Sequence, residues 1–191
     1  MSFGSVLLVS YWLIQIVMAV LLLYFSIKIL VILNTLSPWY KGDLPYVPSD
    51  NRLMKQAFAM LDVRKGDRVV DLGSGDGKFL IYGARKIDAV FVGVEINSFL
   101  WALSTVKSKL SLKRGSVNIK KASFWNEDLS QYDRLFLFNM PSVLKKLVKK
   151  FDSELKRGVL VVSVMFPIES ERLKLIDTQG KKDKVFLYEV V

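Results

Sequence analysis

The chain has 191 residues, 51% of them hydrophobic, with 28 Lys and Arg against 18 Asp and Glu and a net charge of +10. It carries no His and no Cys, which excludes Ser-His-Asp and Cys-His triads, zinc sites built from their usual ligands, and structural disulfides. Any chemistry falls to carboxylates, amides, hydroxyls, lysines or a bound cofactor, and the chain is too apolar to be disordered.

Every charged side chain lies at or after Lys28, and Val6 to Ile27 form an uncharged run, VLLVSYWLIQIVMAVLLLYFSI, that Ile29 to Leu33 extend. A helix of that run is about 33 Å long, against a hydrocarbon core of about 30 Å. A cleaved signal peptide needs a basic start, a shorter apolar stretch and a small-residue cleavage site. Here the first basic residue follows the run and no Ala-x-Ala pattern appears. A buried core helix would show a polar stripe, and only Gln15 and a few hydroxyls interrupt this one. The expectation is a retained membrane anchor over residues 1–33, in the bilayer through residues 6–33. Lys28, Lys41, Arg52 and Lys55 flank only its C-terminal end, which puts the rest of a single-pass protein on the cytoplasmic side.

Residues 34–50 hold three prolines and read as a linker, leaving 51–191 as one domain. Arg52 to Leu61 has helical periodicity, with Leu53, Met54, Ala57, Phe58 and Leu61 on one face. Strands are then expected at Arg68–Asp71, Ala89–Glu95, Val117–Lys121, Arg134–Phe138 and Gly158–Val164. Helices are expected at Lys78–Lys86, Asn97–Leu110 and Ser142–Phe151, and a closing hairpin at Arg172–Ile176 and Lys184–Val190 around Gly180. Apolar strands alternating with amphipathic helices predict an α/β fold: a doubly wound, mostly parallel, Rossmann-like sheet.

The strongest motif is Asp71-Leu72-Gly73-Ser74-Gly75-Asp76-Gly77, at a strand end and opening a helix. Glycines let backbone turn tightly and approach a ligand. Glu95 ends the next strand, placed to accept hydrogen bonds from ribose hydroxyls. A dinucleotide fingerprint reads G-x-G-x-x-G. Here the third glycine comes one position early, at Gly77, which argues against NAD.

From Tyr46 onward the chain resembles the class I S-adenosylmethionine-dependent methyltransferases: Asp71 to Gly77 look like their first motif and Glu95 like their acidic residue after the second strand. Pro45-Tyr46-Val47-Pro48-Ser49, Glu95-Ile96-Asn97, Phe124-Trp125 ahead of Ser130-Gln131-Tyr132, and Phe166-Pro167 carry a closer likeness. With the anchor, they resemble the membrane-anchored lysine methyltransferases acting on the ATP synthase c subunit and the adenine nucleotide translocase. Two positions depart from that pattern, Ser123 where the family has an acidic residue and Met165 where it has a basic one.

The resemblance implies S-adenosylmethionine as cofactor. Asp71 would orient its methionine end and Glu95 its ribose, Gly73, Ser74, Gly75, Asp76 and Gly77 would form the loop, and Phe124 or Trp125 would pack on the adenine. Asn139 and Pro141, in Asn139-Met140-Pro141-Ser142 after the fourth strand, would meet the acceptor, with Tyr46 closing over the site. The same stretch is a weaker version of the Asn-Pro-Pro-aromatic motif of adenine-N6 methyltransferases. The expected acceptor is a lysine of a membrane-associated protein; a lipid or quinone acceptor and a non-catalytic cofactor-binding module are the alternatives. Basic clusters, including Lys145, Lys146, Lys149 and Lys150, read as a solvated face that also suits anionic lipid headgroups. Tethering to a bilayer makes nucleic acid the less economical partner.

Overall fold

The computed structural model describes residues 3–40, 50–111 and 116–191. The chain divides into two compact units, residues 1–45 and 46–191.

The first unit is one helix, α1 (Phe3–Tyr40). Within it Ser10–Leu30 has a mean hydropathy of 2.4 and none of that stretch is buried. Helical backbone continues through residues 34–40, the first part of the segment expected as a linker. Residues 34–40 include Pro38 followed by Trp39 and Tyr40 and carry no charged side chain.

The second unit is built on a seven-stranded sheet. Its elements are α2 (Asn51–Met60), β1 (Arg68–Leu72), α3 (Lys78–Ala84), β2 (Val90–Glu95), α4 (Ser98–Ser111), β3 (Val117–Lys121), β4 (Arg134–Leu137), α5 (Pro141–Glu154), β5 (Leu160–Val164), β6 (Leu173–Gln179) and β7 (Val185–Val190). The strand order is β3-β2-β1-β4-β5-β7-β6. All pairs from β3 to β5 are parallel, while β7 is antiparallel to both β5 and β6.

Alternation along each strand sorts side chains onto two buried faces. Val70, Val92, Leu135, Val161 and Tyr188 face Leu144, Leu147 and Phe151 of α5. Val69, Phe91, Phe136, Val162 and Leu187 face α2 and α3, with the Phe79 and Phe136 rings stacked 3.9 Å apart. Between β3 and β4 lie two single 3₁₀ turns, Phe124–Asn126 and Leu129–Gln131, instead of a helix. The α5 face is thus completed by Leu129 and Tyr132 from those turns. The parallel strands all end at one edge, which gathers Leu72, Glu95, Lys121, Leu137 and Val164.

Candidate active site

At that edge the chain after β1 must turn at once into α3, and it does so with three left-handed glycines: Gly73, Gly75 and Gly77 have φ of 95°, 53° and 75°. The Gly73 and Ser74 amides donate to the Val94 carbonyl at 2.9 and 3.1 Å, pinning the loop onto β2. That contact requires Gly93, because a Cβ there would come within 2.6 Å of Ser74 Oγ and Leu80 Cδ1. The Ser74 hydroxyl is buried and finds no hydrogen-bond partner among the described residues. An orphaned buried polar group of this kind calls for an explanation.

Glu95, 7% exposed, closes the other side. Its Oε2 accepts from the Gly75 amide at 2.8 Å and its Oε1 from the Asn97 amide at 2.7 Å. Asn97 is fixed in turn because its Oδ1 caps α4, accepting from the Phe99 and Leu100 amides at 2.9 and 3.1 Å. Asp71 is 4% exposed. Burial first, then the charges of Glu95 and Asp76, push its carboxyl well above the usual carboxylate range. Asp76 is partly buried, and Lys107 Nζ meets its Oδ2 at 2.9 Å.

Asn139 follows β4 and is 5% exposed. Its Nδ2 donates to the Leu72 carbonyl at 3.1 Å, and its Oδ1 lies 3.6 Å from where a Cβ on Gly73 would stand. The amide therefore borders the glycine loop with an acceptor oxygen. Pro141 is the first residue of α5, with Met140 as its N-cap. Phe124 packs against the core cluster, and the Trp125 ring sits 4.9 Å from it and remains 36% exposed.

The structure thus brings Asp71, Gly73, Ser74, Gly75, Asp76, Gly77, Glu95 and Asn139 together. Tyr46 and the rest of residues 45–49 lie outside the described residues. Sequence reasoning missed the cap at Asn97, the supporting role of Gly93, and Lys107. An Asn directly before an apolar-periodic run was a readable cap signal; the other two depend on tertiary contact alone.

The cradle suits a ligand with two features. Vicinal hydroxyls would find Glu95, and a cationic group would relieve the crowding of negative charge around Asp71. The left-handed glycines put no Cβ in the way, and the orphaned Ser74 hydroxyl stands in the same turn. S-adenosylmethionine, with its ribose, ammonium and sulfonium, fits these residues.

A 3-2-1-4-5-7-6 sheet with a glycine loop after β1 and an acidic residue ending β2 defines a class I methyltransferase fold. The chain belongs to the ANTKMT methyltransferase domain family, whose profile matches residues 71–174. It is 33% identical over 124 residues to the rat lysine N-methyltransferase of the ATP synthase c subunit, covering 65% of this chain and 56% of the relative. It is 29% identical over 153 residues to a protein-lysine N-methyltransferase of Saccharolobus islandicus, covering 78% and 95%. Among solved structures, an RNA methyltransferase from Salinibacter ruber in complex with S-adenosyl-L-homocysteine superposes with a TM-score of 0.68 at 28% identity, covering 75% of this chain and 94% of that one. The chain spans about half the length of the rat, human and mouse relatives named for the ATP synthase c subunit.

Proposed function

We propose that the protein is an S-adenosylmethionine-dependent methyltransferase that modifies a lysine side chain of a membrane-associated protein, held at the bilayer by α1. The carrying observation is the pair of buried strand-end carboxylates, Asp71 and Glu95, around a left-handed glycine loop. Family membership and the lysine N-methyltransferase relatives support the acceptor.

When bound, the cofactor supplies a methyl group already activated on a sulfonium sulfur. The chain's part is to bind, orient and desolvate. Glu95 accepts from the ribose hydroxyls, and Asp71 faces the cationic methionine end. A lysine amine must reach this edge neutral; lowering its pKa from about 10.4 to 7 costs about 4.6 kcal/mol. Apolar surroundings and a nearby positive charge both act in that direction. Asn139 Oδ1, whose amide is locked by the Leu72 carbonyl, accepts a hydrogen bond from the neutral amine and aims its lone pair.

Anchoring rests on α1. Ser10–Leu30 gives about 32 Å of helix, enough to cross a hydrocarbon core. Its side chains are exposed along their length, Leu22 by 64% and Leu30 by 68%, which water would penalise heavily.

Incubating membranes with the purified protein and methyl-labelled cofactor tests the reading. Label in a protein band, mapped to lysine, is the expected result. Label in the organic extract would move the acceptor to a lipid or quinone, and label in RNA would move it to nucleic acid.

A further inference from the structure

Two methionines stand at adjacent strand ends, and one holds a backbone conformation that its side chain disfavours. β4 and β5 pair in parallel as far as Leu137 and Ser163; two residues on, at the same edge, come Asn139 and Met165. Met165 has φ of 69°, in the left-handed region that long side chains enter at a cost. The turn is clamped from two sides. The Met165 amide donates to the Lys184 carbonyl at 2.7 Å. Ser163, wholly buried, spends its hydroxyl on the Phe166 carbonyl at 2.6 Å.

Core packing does not account for this strain, because the Met165 side chain is 40% exposed. Met140, next to the buried Asn139, is 49% exposed. Strain fixed by its surroundings at a functional edge is evidence that the side chain's position matters. The chemistry agrees. A lysine must bring four methylenes and an uncharged amine to this edge, and that requires walls that exclude water without competing for the amine. Thioethers are apolar, polarizable and adaptable, donate no hydrogen bond and accept only weakly.

We propose that Met140 and Met165 form the two walls of the acceptor entrance and select a lysine set in an apolar segment over one set in a polar loop. This rests on the reading of the protein as a lysine methyltransferase. The test uses the full chain in detergent, methyl-labelled cofactor and two synthetic peptides, one with its lysine among Leu and Ala and one with its lysine among Ser and Asp. Wild type is expected to favour the apolar peptide by about tenfold or more in kcat/KM. Met165→Gln and Met140→Gln should shrink that preference through the KM of the apolar peptide, with cofactor affinity unchanged, and Met165→Leu should retain it. Met165→Gly should melt at a higher temperature than wild type, because it relieves the left-handed backbone, and still lose the preference. A preference unchanged in Met165→Gln and Met165→Gly, or a wild type favouring the polar peptide, overturns the proposal. Wild type labelling neither peptide nor any membrane-protein lysine overturns instead the lysine reading beneath it, and this inference with it.

Discussion

Buried carboxylates occur in two regions of this domain, and their neighbours differ in kind. Glu127, 6% exposed, sits among donors on other side chains. Lys120 Nζ and the Tyr132 hydroxyl each approach its Oε1 at 2.5 Å, and Gln131 Nε2 at 3.3 Å. Arg68 holds Gln131 from behind at 2.8 Å. The charge is compensated within the chain, and Tyr132, desolvated and bonded to Glu127, is held in its protonated form by a raised pKa. At the strand edge, Glu95 meets two backbone amides and Asp71 feels two like charges. One cluster is finished and joins β3 to β4. The other gathers Asp71, Glu95 and Asp76 beside a left-handed glycine loop, where burial and like charge raise the Asp71 pKa. Burial alone does not distinguish the two regions; the charges set around each carboxylate do.

Substitutions can break this contrast. The largest effect belongs to Glu95→Ala, which removes the proposed ribose acceptor and the clamp on Gly75. Cofactor affinity should fall at least about 100-fold, near 2.7 kcal/mol, in equilibrium dialysis with labelled cofactor. Glu127→Ala should behave in the opposite way. Leaving buried donors unpaired costs about 1–3 kcal/mol, seen as a lower melting temperature, while cofactor affinity of the folded protein stays at the wild-type value.

Asp71→Asn sharpens the comparison because stability and function should move apart. A carboxyl whose folded pKa is raised binds more protons in the folded than in the unfolded state. Ionising it therefore costs stability as pH rises from its ordinary value through the raised one. Removing that charge should stabilise the ligand-free protein by about 1 kcal/mol, roughly 2–4 °C in Tm, at neutral pH. It should also flatten the pH dependence of melting and lower kcat/KM by about tenfold or more. The smallest effect is expected from Lys107→Ala. Its ion pair with Asp76 is half exposed, so stability should change by less than about 1 kcal/mol, with a modest loss of cofactor affinity from a looser loop.

Much of the sheet was legible because its strands are short Val, Leu and Phe runs cut by Gly and Asp. Asp71 to Gly77 and Glu95 were legible because chemistry and local backbone coincide there. The β6–β7 hairpin formed around Gly180, whose φ is 101°. β6 nonetheless starts at Leu173 rather than Arg172, whose guanidinium is drawn to the Asp152 and Leu155 carbonyls. What stayed hidden needs partners distant in sequence. Methionine gives no local sign of a left-handed turn, and Met165 takes one only because Lys184 and Ser163 hold it. The Ser74 hydroxyl reads as an ordinary loop residue until β2 is laid beneath it. Nor does sequence pattern say that Glu127 finds neutralising partners while burial and like charges surround Asp71.

The most direct measurement is a calorimetric titration of the full-length, folded protein with S-adenosylhomocysteine across pH. The account predicts one saturable site whose affinity rises with pH as Asp71 ionises to meet the ligand's ammonium. A protein that melts cooperatively yet gives no saturable heat at any pH would contradict it.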